Sequence, residues 1–571
     1  MSKFTAIDYI IFIFYFLVVA GYGYWVYRKK RNKDVSASHD FFLAEGSLTW
    51  WAIGASLIAS NISAEQFIGM SGQGYDIGIA VAAYEWIAAI ALIVVAVWFM
   101  PVYLKNKIFT MPQFLTTRYN ETVAFIMSIF WLLLYVFVNL TSILFLGEIA
   151  INNLVGGNAA SGHIILFALS IFAVFITLGG MKVIGFTDVI QVSVLIIGGL
   201  ATTYIALTVV SKAFGYGDSA IEGFNQLIKH APDHFHMIFE KPGPNSTPHE
   251  VHNYLTIPGL LSYVAGIWII NLNYWGCNQY ITQRALGASL PTARKGILFA
   301  GFLKLLMPLI VMLPGIAAFV LHQKGMIQHE MLVNSKSGHV LTDNAYSAIL
   351  GYLPNGLIGL SLAALTAAIV ASLAGKANSI STIFTLDVYK KHINKNADEK
   401  KMVWVGRITI LVALAIAILF TWSDTLGIGG EGGFTYIQKY TGFISPGVFA
   451  MFLLGMFWKR TTGAAAVVGV TVGFLLSVFF NELAPKWFGP ETFLYTAYRN
   501  DAGIYEIPFH ICMGLAFFFT MGIMILVSLG GPKINPKAFA LDRSMFKVQP
   551  GVLAMIVITL MIISLLYVRF W

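Results

Sequence analysis

The sequence predicts an all-α polytopic membrane protein of 14 transmembrane helices, arranged as a 5+5 inverted repeat with two broken helices. Three observations carry this. Of the 571 residues 57% are hydrophobic and only 11% are charged, whereas roughly a quarter of a soluble domain is charged. Apolar windows of about 20 residues, the length that crosses a bilayer, centre near residues 17, 60, 90, 135, 170, 198, 268, 308, 370, 412, 445, 473, 517 and 560. Two windows, the second and the seventh, carry polar residues in their middle, at corresponding places in two consecutive sets of five, as an inverted repeat requires.

The first window, Ile7 to Tyr27, is followed rather than preceded by its basic cluster Arg28, Lys29, Lys30, Arg31 and Lys33 and lacks a small-residue cleavage site. It reads as a retained span, not a signal peptide. The second, Gly54 to Gly74, places Ser60, Asn61, Ser63, Glu65 and Gln66 inside one bilayer's worth of chain. Polar side chains there are costly and survive only beside protein or water. Either the stretch is a loop between two half-buried segments, or it is a discontinuous helix whose unwound turn offers backbone groups to a ligand. In the seventh window, Ala265 to Tyr280, an apolar helix is interrupted by Asn271, Asn273 and Gly276, with Tyr274 and Trp275 between. Spans two to six and seven to eleven then form the repeats. This divides the chain into an extra helix (1–34), a core (48–458, with repeats 48–210 and 255–458) and three C-terminal helices (459–571).

With the N-terminus outside, the basic loops 28–33, 105–118, 284–295, 390–401, 459–460 and 533–547 all fall on the cytoplasmic side, as the positive-inside rule asks. A multi-pass protein of the inner or plasma membrane follows, with both termini outside. The net charge of +9 lies in these short loops, so it marks topology and not nucleic acid. Cys277 and Cys512 sit in apolar segments and are too few for a disulfide framework. The outer loops 211–255 and 323–345 are polar, and the first carries His230, His234, His236, His249 and His252. These read as solvated loop histidines, since nothing fixes the geometry a zinc ion needs. Asn245-Ser246-Thr247 is a glycosylation acceptor only in a host that glycosylates. HExxH, GxSxG and P-loop signatures are absent, which argues against an enzyme and against an organic cofactor.

Of the ionisable and amide side chains inside spans, five stand out: Gln66, Glu85, Asn271, Lys304 and Gln438. Taken singly each has a plain reading. A membrane Gln or Asn bonds a neighbouring helix, and Glu85 with Lys304 makes a structural ion pair. Together they supply amides, a carboxylate and an ammonium from five different spans, the inventory for a ligand rich in hydroxyls.

The runs SLIASNISAEQFIGMSGQGY (56–75), AAYEWIAAIAL (82–92), FVNLTSILFLG (137–147), TDVIQV (187–192), NYWGCNQYITQRAL (273–286), YIQKYTGFISPGV (436–448) and GMFWKRTTGAAAVVGVTVG (455–473) resemble the sodium:solute symporter family, and within it the sodium/glucose and sodium/galactose cotransporters. The resemblance runs in matching order over nearly the whole chain. It implies a leucine-transporter-like fold, sodium as coupling ion, uptake of a hexose, and alternating access around a midplane site. By resemblance the five residues above contact the sugar, and Tyr274 is an inner aromatic gate that stacks on it beside Trp275. Met70, Tyr135 and Phe434 form the outer hydrophobic cover, with core packing as the alternative for each. Two positions depart from the family pattern: Ala88 replaces a hydroxyl and Asn273 an aromatic.

The same resemblance makes Ala59 and Ile62 of the second span and Ala368 of the ninth carbonyl donors to sodium, and gives Ser372 as a hydroxyl ligand. Asp188 lies on the sodium exit route. Ala371 stands where the family usually has a second serine, and Lys376, one turn beyond Ser372, is unexpected so near. Two charges inside spans are expected to pair, so Lys376 is expected to reach Asp188 or the oxygens around Ser372, unless it snorkels to the cytoplasmic surface. Rival readings keep the fold with sodium-independent, Lys376-substituted sugar transport, or change the cargo to an inositol, a sialic acid or an amino acid. A sugar sensor is the rival from another class.

Overall fold

A computed structural model describes residues 5–28, 48–155, 159–331, 333, 340–422, 433–500 and 502–571. Among these, 13 helices are long and apolar enough to cross a membrane, the first being Ala6–Arg28 and the last Pro550–Phe570. The second span is too interrupted to count among them and makes the fourteenth, so every window centre falls on a helix. The basic residues 29–33 lie outside the described residues.

The second span starts as a helix over Trp50–Asn61, capped by the Thr49 hydroxyl, and stops at Ile62, whose ψ of 120° is extended. Ser63 N–H donates to Gln66 Oε1 at 3.0 Å, which leaves the Ala59 carbonyl without the amide four residues on that an α-helix would supply. The chain then resumes as a wide turn over Glu65–Met70 and a short helix over Ser71–Asp76. The loop reading is thereby excluded, and the discontinuous helix stands.

The seventh span also breaks, but later than its composition suggests. Helix Ile267–Cys277 is continuous through Asn271, Asn273 and Gly276, and the break falls at Asn278, with ψ 131°, before helix Gln279–Leu286. The three suspected breakers are absorbed locally. Asn271 Nδ2 returns to the Ile267 carbonyl at 2.9 Å, and Asn273 Nδ2 donates to Ser445 Oγ at 3.0 Å. Gly276 lets Phe99 approach so closely that a Cβ would sit 2.6 Å from its ring, while Tyr103 donates to the Gly276 carbonyl at 2.7 Å.

The halves of the second span pack against the eighth span (Leu290–Lys304 and Met307–Gln323), and the first half also touches the sixth (Met181–Ala213) and ninth (Leu357–Thr382). The seventh lies between the third, whose central helix is Ala82–Val94, and the eleventh, Gly433–Phe457. The first span is not a loose addition: buried Asp8 accepts from the Gly356 and Gly359 amides at 2.7 and 2.8 Å, at the start of the ninth span, where Gly356 holds φ +88°.

Several basic loop residues are structural. Arg118 is fully buried and donates to the Gly455, Trp458 and Thr461 carbonyls, filling the C-terminal end of the eleventh span, where orphan carbonyls attract cations. Arg284 and Arg294 are buried as well.

Candidate substrate and cation site

The two breaks border one cavity, with Asn61, Glu65 and Gln66 of the second span and Asn278 of the seventh in its lining. All five polar residues singled out in the spans, Gln66, Glu85, Asn271, Lys304 and Gln438, line it, as do Tyr274, Trp275, Phe434 and Ala88. Glu85 and Lys304 form a buried ion pair, Oε2 to Nζ 2.5 Å, and the ammonium lies 5.4 Å from the centre of the Trp275 ring. So the pair is structural and also part of the cavity wall; its two plain alternatives are not exclusive. Gln66 keeps its amide nitrogen for the cavity, since Oε1 is taken by Ser63.

Two residues expected in the outer cover, and one departure from the family pattern, stand away from the cavity lining. Met70 is fully buried and absent from the lining. Tyr135 is absent too: its hydroxyl donates to Asn278 Oδ1 and accepts from Gln279 N–H, both at 3.2 Å, so it fastens the break of the seventh span. Asn273 does not reach the cavity, because Ser445 on the eleventh span holds its amide. Phe434 does cover the site. It meets Tyr84 edge-on at 5.3 Å, and Gly69 allows the approach, since a Cβ there would lie 2.7 Å from the Phe434 Cβ.

Residues passed over complete the wall: Asn61, Glu65, Tyr84, Asn139, Asn278, Tyr280 and Thr441. Asn61 and Glu65 belonged to the polar cluster that marked the second span, so the signal for them was present. Asn61 Nδ2 donates to Tyr274 Oη at 2.9 Å, bridging the two broken helices, and Asn61 Oδ1 is buried without a protein partner. Tyr274→Phe is therefore expected to lower stability by the loss of one hydrogen bond, about 1 kcal/mol, and Tyr274→Ala to lower it further by removing the ring. Thermal unfolding measures both; equal losses in the two variants would mean that the ring adds nothing beyond its hydroxyl.

Ser372 Oγ donates to the Ser60 carbonyl at 3.0 Å, so the ninth span meets the second just before its break. Ala368 and Ala371 are buried beside it. Lys376 neither snorkels nor pairs with Asp188. It is 1% exposed and its Nζ donates to Ser372 Oγ at 3.0 Å, with Glu65 Oε1 3.9 Å away. Asp188 is instead bound by Ser56 and approached by Arg284, whose Nη2 lies 3.8 Å from Oδ2 and whose Nε donates to Ser56 Oγ at 2.7 Å. Of its two expected destinations Lys376 therefore reaches the Ser372 oxygen and not Asp188, because Arg284, expected in a cytoplasmic loop, lies buried in helix Gln279–Leu286 and takes the carboxylate.

At the end of the second span, His234 is buried rather than solvated, and half-exposed His252 is tied to the span. His234 Nε2 donates to the Tyr75 carbonyl at 2.9 Å, and His252 Nε2 meets Asp76 Oδ2 at 2.9 Å. Burial pushes the His234 imidazole below the ordinary histidine range.

Comparison with known proteins places this geometry. The model of the Sodium:solute symporter family matches residues 41–473. A sodium/glucose cotransporter of Vibrio parahaemolyticus is 40% identical over 99% of this chain and 98% of its own length. Sodium/glucose cotransporter 1 of Ovis aries is 32% identical over 83% of this chain and 71% of its own, and sodium/myo-inositol cotransporter 2 of Homo sapiens is 32% identical over 82% and 69%. Among solved structures, a substrate-bound, outward-open Na+-coupled sialic acid symporter superposes with a TM-score of 0.75 at 19% identity, covering 93% of this chain and all of that one.

Proposed function

Because this chain belongs to the sodium:solute symporter family, and has its leucine-transporter-like fold, we propose that it is a secondary active transporter that couples sodium entry to uptake of a hexose. It is a transporter and not an enzyme. The observation that carries the sugar reading is the convergence of Gln66, Glu85, Asn271, Lys304 and Gln438 on one cavity with an aromatic floor.

A hexose offers hydroxyls that both donate and accept, and a carbon-hydrogen face that stacks on a ring. Glu85 accepts from hydroxyls, and Lys304 donates to them while neutralising Glu85. Gln66 donates through its amide nitrogen, and Asn271 and Gln438 serve either role. Tyr274 and Trp275 close the site on the inner side and Phe434 on the outer. Ala88 in the wall removes one side-chain partner for a sugar hydroxyl. Sodium is held by the carbonyls of Ala59, Ile62 and Ala368 and by Ser372, and leaves past Asp188. Alternating access arises when the repeats, spans two to six and seven to eleven (48–210 and 255–458), rock about the two breaks, with both termini outside.

The test is uptake into proteoliposomes. Labelled glucose or galactose is expected to accumulate above its external concentration while sodium is higher outside, and to run out when a sodium ionophore dissipates the gradient. Accumulation that ignores the gradient would remove the coupling. A cyclic polyol such as myo-inositol carries the same ring of hydroxyls, and an inositol cotransporter stands among the relatives, so it belongs in the same assay.

A further inference from the structure

Lys376 is a full charge in the place where the coupling ion is expected. Its Nζ donates to Ser372 Oγ at 3.0 Å, and that hydroxyl in turn donates its O–H to the Ser60 carbonyl at 3.0 Å. Glu65 Oε1, buried without a hydrogen-bond donor, lies 3.9 Å from Nζ, and the Tyr280 ring centre lies 5.2 Å from it. The side chain is 1% exposed. A hydroxyl, a carboxylate and an aromatic face around a buried point are what a small cation asks for, and here an ammonium already stands among them. The neighbouring position that would add a second hydroxyl is Ala371, which has none.

We propose that the ammonium of Lys376 is a tethered cation that shares the coupling position with sodium, so that hexose binding and downhill exchange continue when sodium is absent. This rests on reading the cavity as a hexose site and sodium as the coupling ion. Two unit charges a few ångströms apart in a buried site repel strongly, so sodium takes Ser372 only when the ammonium leaves it. Glu65 is the group it can move to. Glu65 also lines the hexose cavity, which places the displaced charge at the wall of the sugar site and joins the two sites through one side chain. No proton changes hands in this exchange; the ammonium keeps its charge in both positions. Sodium then drives accumulation, while the fixed charge keeps the sugar site formed between sodium binding events.

The experiment compares the purified wild type with Lys376→Ser and with the charge-balanced Lys376→Met/Glu65→Gln, which does not leave Glu65 buried alone. Galactose and glucose dissociation constants are measured in sodium chloride and in N-methylglucamine chloride. The ratio is expected to stay below about threefold in the wild type and to exceed about tenfold in both variants. The sodium-dependent rise in thermal midpoint without sugar is read alongside, and its half-maximal sodium concentration is expected to fall about tenfold or more in the variants. Equal ratios and equal sodium midpoints in all three proteins would overturn the proposal. If neither hexose binds any form, the hexose reading fails, and the sodium arm alone still decides whether Lys376 competes with the ion. Should Lys376→Ser not fold, the charge-balanced variant carries the comparison.

Discussion

Glu85→Ala is expected to abolish hexose binding and to destabilise the protein by about 3–5 kcal/mol, because it strands the buried Lys304 ammonium without its carboxylate partner. Both side chains are almost wholly buried and 2.5 Å apart. Removing both charges separates the two consequences. In Glu85→Ala/Lys304→Met no charge is left unpaired, and thermal stability is expected to return close to wild type while hexose binding does not. Thermal unfolding in detergent and equilibrium sugar binding read the two effects on the same samples. Recovery of sugar affinity in the double variant would show that the pair is scaffold and that the hydroxyls are held by the amides alone.

Arg284→Ala should cost about as much by the same argument, roughly 3–5 kcal/mol, and should also stop transport. The guanidinium binds Ser56 on the second span, approaches Asp188 on the sixth and donates to the Tyr280 carbonyl within its own helix. It therefore locks together three elements that the transport cycle has to move. Gly375 on the ninth span leaves the room it needs, since a Cβ there would come within 2.5 Å of Nη2. Asp188→Asn keeps the Ser56 contact and is expected to retain more stability than Arg284→Ala. A smaller loss in Arg284→Ala than in Asp188→Asn would mean that the carboxylate, not the arginine, organises the network.

The number and order of spans were legible because a membrane helix announces itself by a long apolar window, which depends on nothing distant in the chain. The second span was legible as irregular for the opposite reason: five polar side chains within one bilayer's length of chain do not fit a plain apolar helix, and only the structure separates a discontinuous helix from a loop. The seventh span shows the limit. Asn271, Asn273 and Gly276 look like helix breakers, but each is satisfied by its own helix, by Ser445 or by the approach of Phe99, and the chain opens two residues further on at Asn278. Pairing of charges was the least legible. Asp188 and Lys376 were natural partners until Arg284 took the first and Ser372 with Glu65 the second. Those choices are made by helix packing, and a buried arginine cannot be told from a loop arginine by sequence position. Tyr135 teaches the same lesson, since a ring that looked like a lid is a clamp on the seventh-span break.

Whether the cavity exchanges hexoses is measured by counterflow, in proteoliposomes loaded with unlabelled hexose and diluted into a trace of labelled galactose or glucose, without requiring an ion gradient. Wild-type protein is expected to take up label in a saturable burst, with sialic acid and amino acids inert, and Glu85→Ala/Lys304→Met, folded but lacking the charged pair, is expected to take up none. A burst with sialic acid or an amino acid and none with any hexose, or a full hexose burst in the double variant, would contradict the hexose reading.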